Sequence, residues 1–134
     1  MLELAARSIG GLCSRALRFP GGQTLEELIL ASALGPAPAP GPAPAAGQDQ
    51  GRPAGVYMLP VPRPGVLRAV DGRDSAAAIA GITGVTITIP VGRRVRPLPD
   101  GDQYLGFIFA EASTRHEVED ALSAARGQLR VIID

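Results

Sequence analysis

The chain has 134 residues, 46% of them hydrophobic, and balances 13 basic against 13 acidic residues for a formal net charge of zero. That length is one ordinary domain, or a small domain with an appendage, and its neutrality removes the electrostatic case for a nucleic-acid binder. All the basic residues are arginine, which excludes a Walker-type phosphate loop, a Schiff base and a lysine general base. One Cys and one His build neither an all-Cys/His zinc site nor a disulfide framework. With no Trp and 4% aromatics, base-stacking platforms are not expected.

In chain order, Met1 to Ala5 is short and apolar and reads as a strand. The surrounding terminus carries Arg7, Arg15 and Arg18 against Glu3, the charge sign of a transit peptide. Gly10-Gly11 interrupts the amphipathic helix that such a peptide needs, and the arginines break any secretory h-region. No run reaches the roughly 18 apolar residues of a membrane span. A cytoplasmic location and no membrane partner are expected. A short helix is predicted around Leu12 to Leu17. Thr24-Leu25-Glu26-Glu27 is a capping box, and Leu25, Leu28, Ile29 and Leu34 then fall at helical spacing up to a stop at Gly35. The spacing predicts a helix over 25–34. Residues 36–46 read PAPAPGPAPAA; with every second residue lacking much of its hydrogen-bonding capacity, this is an extended spacer or a disordered loop. Docking of the spacer in an aromatic-lined groove is the alternative, although its prolines recur every two residues rather than three.

Beyond the spacer the pattern becomes regular. Gly55 to Val61 and Val66 to Val70 read as strands around a Pro-rich bend. Asp74 is placed to cap a short helix through Ile79, ended by Gly81. Val85 to Ile89 alternates as a half-buried strand. Val91 to Leu98 reads as a hairpin arm, Pro99-Asp100-Gly101 as a turn, and Tyr104 to Ala110 as a buried strand. A second capping box at Thr114–Glu117 opens a helix with Val118, Ala121, Leu122, Ala125 and Leu129 on one face, ended by Gly127, and Leu129 to Ile133 is the last strand. This is the β-α-β-β-α-β order of a ferredoxin-like α+β domain, two helices covering one face of a mainly antiparallel sheet; a half-open barrel is the alternative.

Catalytic constellations are thin. His116 sits in a predicted first turn with no nucleophile partner and reads as an exposed surface histidine. Cys13 follows a Gly-Gly turn; a buried structural thiol is favoured over a stabilised thiolate. Glu26 and Glu27 are adjacent and do not face each other on a helix. Asp100 and Asp102 flank Gly101 as ordinary turn chemistry. Arg93, Arg94 and Arg96 form a basic cluster able to hold a phosphate or carboxylate, though such clusters are more often solvated arms. In the first segment, Glu3, Ala5 and Arg7 share a strand face ahead of Gly10-Gly11, an arrangement compatible with a magnesium–phosphate edge.

At these residues the sequence resembles a known family. ELAAR at 3–7 followed by GGLCSRAL at 10–17 looks like the closing strand of an ATP-grasp domain. It resembles in particular the enzymes of the L-amino-acid ligase type, which join a carboxylate to an amine through an acyl-phosphate and release ADP. LEELIL at 25–30, GVYMLPVPRPGVL at 55–67, GITGVTI at 81–87 and YLGFIFA at 104–110 resemble the C-terminal domain of those proteins. The resemblance implies Glu3 as a magnesium carboxylate, Arg7 as the catalytic arginine near the phosphate, and Gly10 and Gly11 at the cofactor. Ala5 stands where the pattern Glu-x-Asn-x-Arg has its second metal ligand. Mg2+ and ATP are implied for the whole family, and none is expected on this chain alone. The expected division is 1–35 as the end of an ATP-grasp domain, 36–53 as linker and 54–134 as the ligase C-terminal domain. The chain is thus expected to be a fragment, split-gene product or remnant that packs on an ATP-grasp core, in cis or in trans, with homodimerisation open. The alternative is a free-standing ferredoxin-like interaction module without catalysis.

Overall fold

The computed structural model describes residues 9–10, 12–17, 19, 23–35 and 52–134. The strand read at Met1 to Ala5 and the 36–46 spacer lie outside these residues. The chain divides into two compact units, Met1–Gly51 and Arg52–Asp134.

The described part of the first unit holds a 3-10 turn, Cys13–Ala16, and helix α1, Leu25–Leu34. The capping box forms as the sequence predicts. Glu27 N–H donates to Thr24 Oγ1 at 3.2 Å, and Thr24 N–H donates to Glu27 Oε2 at 2.7 Å. Gly35 ends the helix in extended rather than left-handed backbone (φ −116°), its N–H donating to the Ala31 carbonyl. No residue of α1 is buried, and Ile29, Leu30 and Leu34 are exposed.

The second unit runs β1 Ala54–Leu59, β2 Gly65–Asp71, α2 Arg73–Ala77, β3 Ile82–Ile87, β4 Arg94–Val95, β5 Gly106–Glu111, α3 Arg115–Gln128 and β6 Arg130–Ile133. The architecture is mixed α/β, and the element order is that read from the sequence. The strands divide between two antiparallel three-stranded sheets, β1-β5-β3 and β4-β2-β6. The division falls at the prolines between β1 and β2. Prolines withhold ladder donors, and past them the chain pairs with β6 instead of β5. The central strand β5 has both edges paired, with Tyr57 and Val85 flanking Ile108, and five of its six residues are buried. This explains its near-continuous apolar run.

The core gathers residues from both sheets and α3. Leu67 and Ile133 come from the second sheet, Leu59 and Ile108 from the first, and Ala125 from α3. Val118 and Ala121 of α3 meet Ala110 and Ala112 in an adjoining cluster. The helix lies so close to β1 that a Cβ on Gly55 would stand 2.7 Å from Val118 Cγ1; only glycine fits there without displacement. The Thr114 capping box forms, with Glu117 Oε2 accepting from the N–H groups of both Ser113 and Thr114.

Three local expectations change. Asp74 lies in the first turn of α2 and does not cap it; the cap is Gly72 in left-handed backbone (φ 82°). Gly127 lies inside α3, which continues to Gln128 and stops because Leu129 turns extended to enter β6. Of the hairpin arm read over 91–98 only Arg94 and Val95 form a strand; Gly92 and Arg93 add backbone bonds to Leu67, and prolines and turns leave the rest unladdered. No helix among the described residues is long and apolar enough to cross a membrane.

Candidate functional site

The residues singled out at the N-terminus fare unequally. Glu3, Arg7 and Gly11 lie outside the described residues. Gly10 is exposed, and among the described residues a Cβ added to it would meet nothing within 4 Å. Among the described residues no three His, Cys, Asp or Glu side chains come together as a metal-holding group. Glu3, the expected magnesium carboxylate, is not among those residues.

The other titratable candidates are accounted for locally. Glu27 is engaged by Thr24, whose backbone and hydroxyl donors hold its carboxyl below the ordinary value. Glu26 is likewise lowered, first by a hydrogen bond from the Ser14 hydroxyl and then by its own backbone N–H. The two carboxylates have separate partners, as adjacent helical residues should. His116 is exposed, with Nε2 3.5 Å from Asp120 Oδ2 one turn on. Arg115 pairs with Glu119 at 2.8 Å in the same way, which raises its pKa. Exposed i,i+4 pairs of this kind contribute little to stability. Cys13 is half-buried and in no disulfide.

One place in the second unit has the shape of a site. A cleft of about 650 Å³ opens between the arginine arm and the following loop. Its floor is apolar: Val61, Ile89 and Val95 are 5%, 7% and 5% exposed. Strand alternation builds one wall. Val95 points to the core, so Arg94 and Arg96 project together on the opposite side, and Arg93 joins them along the cleft. This wall is anchored on β2. The Arg93 carbonyl accepts from Leu67 N–H at 2.9 Å, and Gly92 N–H donates to the Leu67 carbonyl at 2.7 Å. Asp100 and Asp102 stand on the loop. Gly101 between them donates its N–H to the Pro97 carbonyl at 2.8 Å. A Cβ at Gly101 would lie 2.2 Å from the Arg96 carbonyl oxygen, so the acidic turn is pressed directly on the backbone of the arginine arm. In the sequence these are two unrelated features, a solvated arm and an ordinary turn. Their separation by only three residues around two prolines was the one signal that they share a cleft.

A second, shallower cleft of about 510 Å³ lies along α3. Its acids already have partners: Glu117 caps α3, Glu111 lies 3.9 Å from Arg52, and Asp120 lies 3.5 Å from His116.

The fold is thus that of a small mixed α/β domain of two antiparallel sheets braced by two helices. The family model for L-amino acid ligase C-terminal domain 2 matches residues 57–134, and the chain belongs to that family. Among solved structures, the L-amino acid ligase from Bacillus licheniformis is similar, with a TM-score of 0.63 and 23% identity. The match covers 84% of this chain and 27% of that one, so the chain spans well under a third of that ligase. At this identity the likeness is one of fold. Comparison with curated proteins finds no match.

Proposed function

We propose that the chain is the C-terminal portion of an ATP-grasp, ADP-forming carboxylate–amine ligase, and that it packs on an ATP-grasp core without turning over by itself. The observation that carries this reading is the family match over residues 57–134. In support, the chain has no lysine with which to clamp a nucleotide's phosphates. The exposed Ile29, Leu30 and Leu34 of α1 supply apolar surface for a core to cover. In this reading residues 1–35 complete the ATP-grasp domain, 36–53 link and 54–134 form the accessory domain. Glu3 serves magnesium and Arg7 the phosphate once a core supplies the rest of the nucleotide site, with Gly10 and Gly11 in the turn beside it. A cytoplasmic location goes with this role.

The test measures ADP release and thermal stability of the full chain with Mg-ATP and mixtures of amino acids. A ligand present at 100 times its Kd stabilises a protein by about 2.7 kcal/mol, a shift of several degrees for a unit of this size. The expected result is no ADP and no Mg-ATP-dependent shift. ADP release that depends on paired amino acids would show a complete enzyme and overturn the proposal.

A further inference from the structure

We propose that the cleft between the arginine arm and the Asp100–Asp102 turn binds a small acidic zwitterion: a molecule with a free ammonium group and more carboxylates than ammoniums, such as an acidic amino acid or an acidic dipeptide. Three arginines, Arg93, Arg94 and Arg96, and two aspartates, Asp100 and Asp102, line one cavity. Among the described residues none of the five side chains is in an ion pair. Unlike charges so near in sequence ordinarily collapse on each other. Here both walls have fixed backbones. The arm is held to β2 through Gly92 and Arg93, and the turn is seated on the Arg96 carbonyl at Gly101.

The consequence is a field across the cleft, positive on one wall and negative on the other. A simple anion is drawn to the arginines but repelled by the aspartates, whereas a zwitterion is a dipole that satisfies both walls at once. Guanidinium forks suit carboxylates, and the aspartates are acceptors for an ammonium group. The excess of one arginine over the aspartates selects a ligand with an extra carboxylate. The apolar floor of Val61, Ile89 and Val95 accommodates the methylenes between the charged groups. A cavity of this size is within the range of small-molecule sites, about 300–1,000 Å³. The inference rests on the cleft alone and stands whether or not the chain is part of a ligase.

The test is an amide NMR titration of the full chain with glutamate, alanyl-glutamate, glutarate and inorganic phosphate. Glutamate or alanyl-glutamate is expected to move the amides of residues 92–103 saturably, about fivefold more tightly than glutarate, which lacks the ammonium. Whichever of the first two binds more tightly tells the free amino acid from the peptide, and either supports the proposal. In the Asp100→Asn, Asp102→Asn double variant that preference is expected to vanish while glutarate binding persists. Arg94→Gln with Arg96→Gln is expected to lose all four. Equal affinity for glutarate or phosphate would reduce the cleft to an anion patch and overturn the proposal. So would saturable shifts confined to other residues, or no saturable binding at all. Every substituted side chain is exposed, and an unchanged spectrum elsewhere confirms that the variants fold.

Discussion

Replacing Ile108 by valine removes one methylene at the crossing of all the packing layers in the second unit. The side chain is 0% exposed, on the strand flanked by both β1 and β3. It shares a cluster with Leu67, Ala125 and Ile133. The transfer contribution of a buried methylene is about 0.8 kcal/mol, and the void left behind adds to it when neighbours cannot close in. Paired on both edges, β5 has little freedom to shift, so the cost is expected at the upper end of the Ile→Val range, about 1–1.5 kcal/mol. In a unit of this size that lowers Tm by about 5–10 °C. Val91→Ala is the comparison: it deletes more hydrocarbon, but Val91 is 66% exposed, and its cost should stay within about 0.5 kcal/mol. Both tyrosines, Tyr57 and Tyr104, lie in the second unit and the chain has no tryptophan, so tyrosine fluorescence during urea unfolding reports on that unit alone. The expected signature is a lower midpoint for Ile108→Val at unchanged m-value. If Val91→Ala costs as much as Ile108→Val, or Ile108→Val leaves the midpoint in place, the account of the core is wrong.

Further expectations follow from the helix ends and the tightest contact. Thr114→Ala removes the acceptor for Glu117 N–H and should destabilise the second unit by about 1 kcal/mol in the same melts. Combining it with Glu117→Ala should cost less than the sum, because the two side chains form one box. Gly55→Val places new atoms against Val118 and Leu122. It should cost about 1–3 kcal/mol, partly recovered by Val118→Ala in the same chain; no recovery would argue against the packing of α3 on β1. The Glu27 carboxyl is held below its ordinary value of 4.5 by Thr24. A depressed folded-state pKa means that its contribution to α1 is present above the unfolded value and disappears as pH falls through the folded one. A carboxyl-detected NMR titration of the full chain should find Glu27 titrating below 4.5, and the Thr24 amide should follow the same curve. Titration at or above 4.5 would show that the box does not form in solution.

Much of this molecule was legible one residue type at a time. Both capping boxes could be read from a Thr with a Glu three residues on, because the motif is satisfied within one turn and needs no distant partner. Helix α1 was legible to its ends for the same reason. So was the burial of β5, whose unbroken run of aromatic and aliphatic residues has no stable place but between two other strands. The absence of lysine excluded several chemistries outright. The tertiary structure alone decided what depends on residues far apart. It split the strands between two sheets, because the prolines after β1 interrupt the ladder and send β2 to β6. It carried α3 past Gly127, because a glycine facing open space exerts no stop; the turn into β6 does. It also brought the arginine arm and the aspartate turn to one cleft, through a pairing of Val95 with Gly65 and a glycine seated on a carbonyl. Local hydrogen bonding and hydrophobic periodicity are written in neighbouring residues. The facing of two charged segments across a cavity is a property of the packed chain.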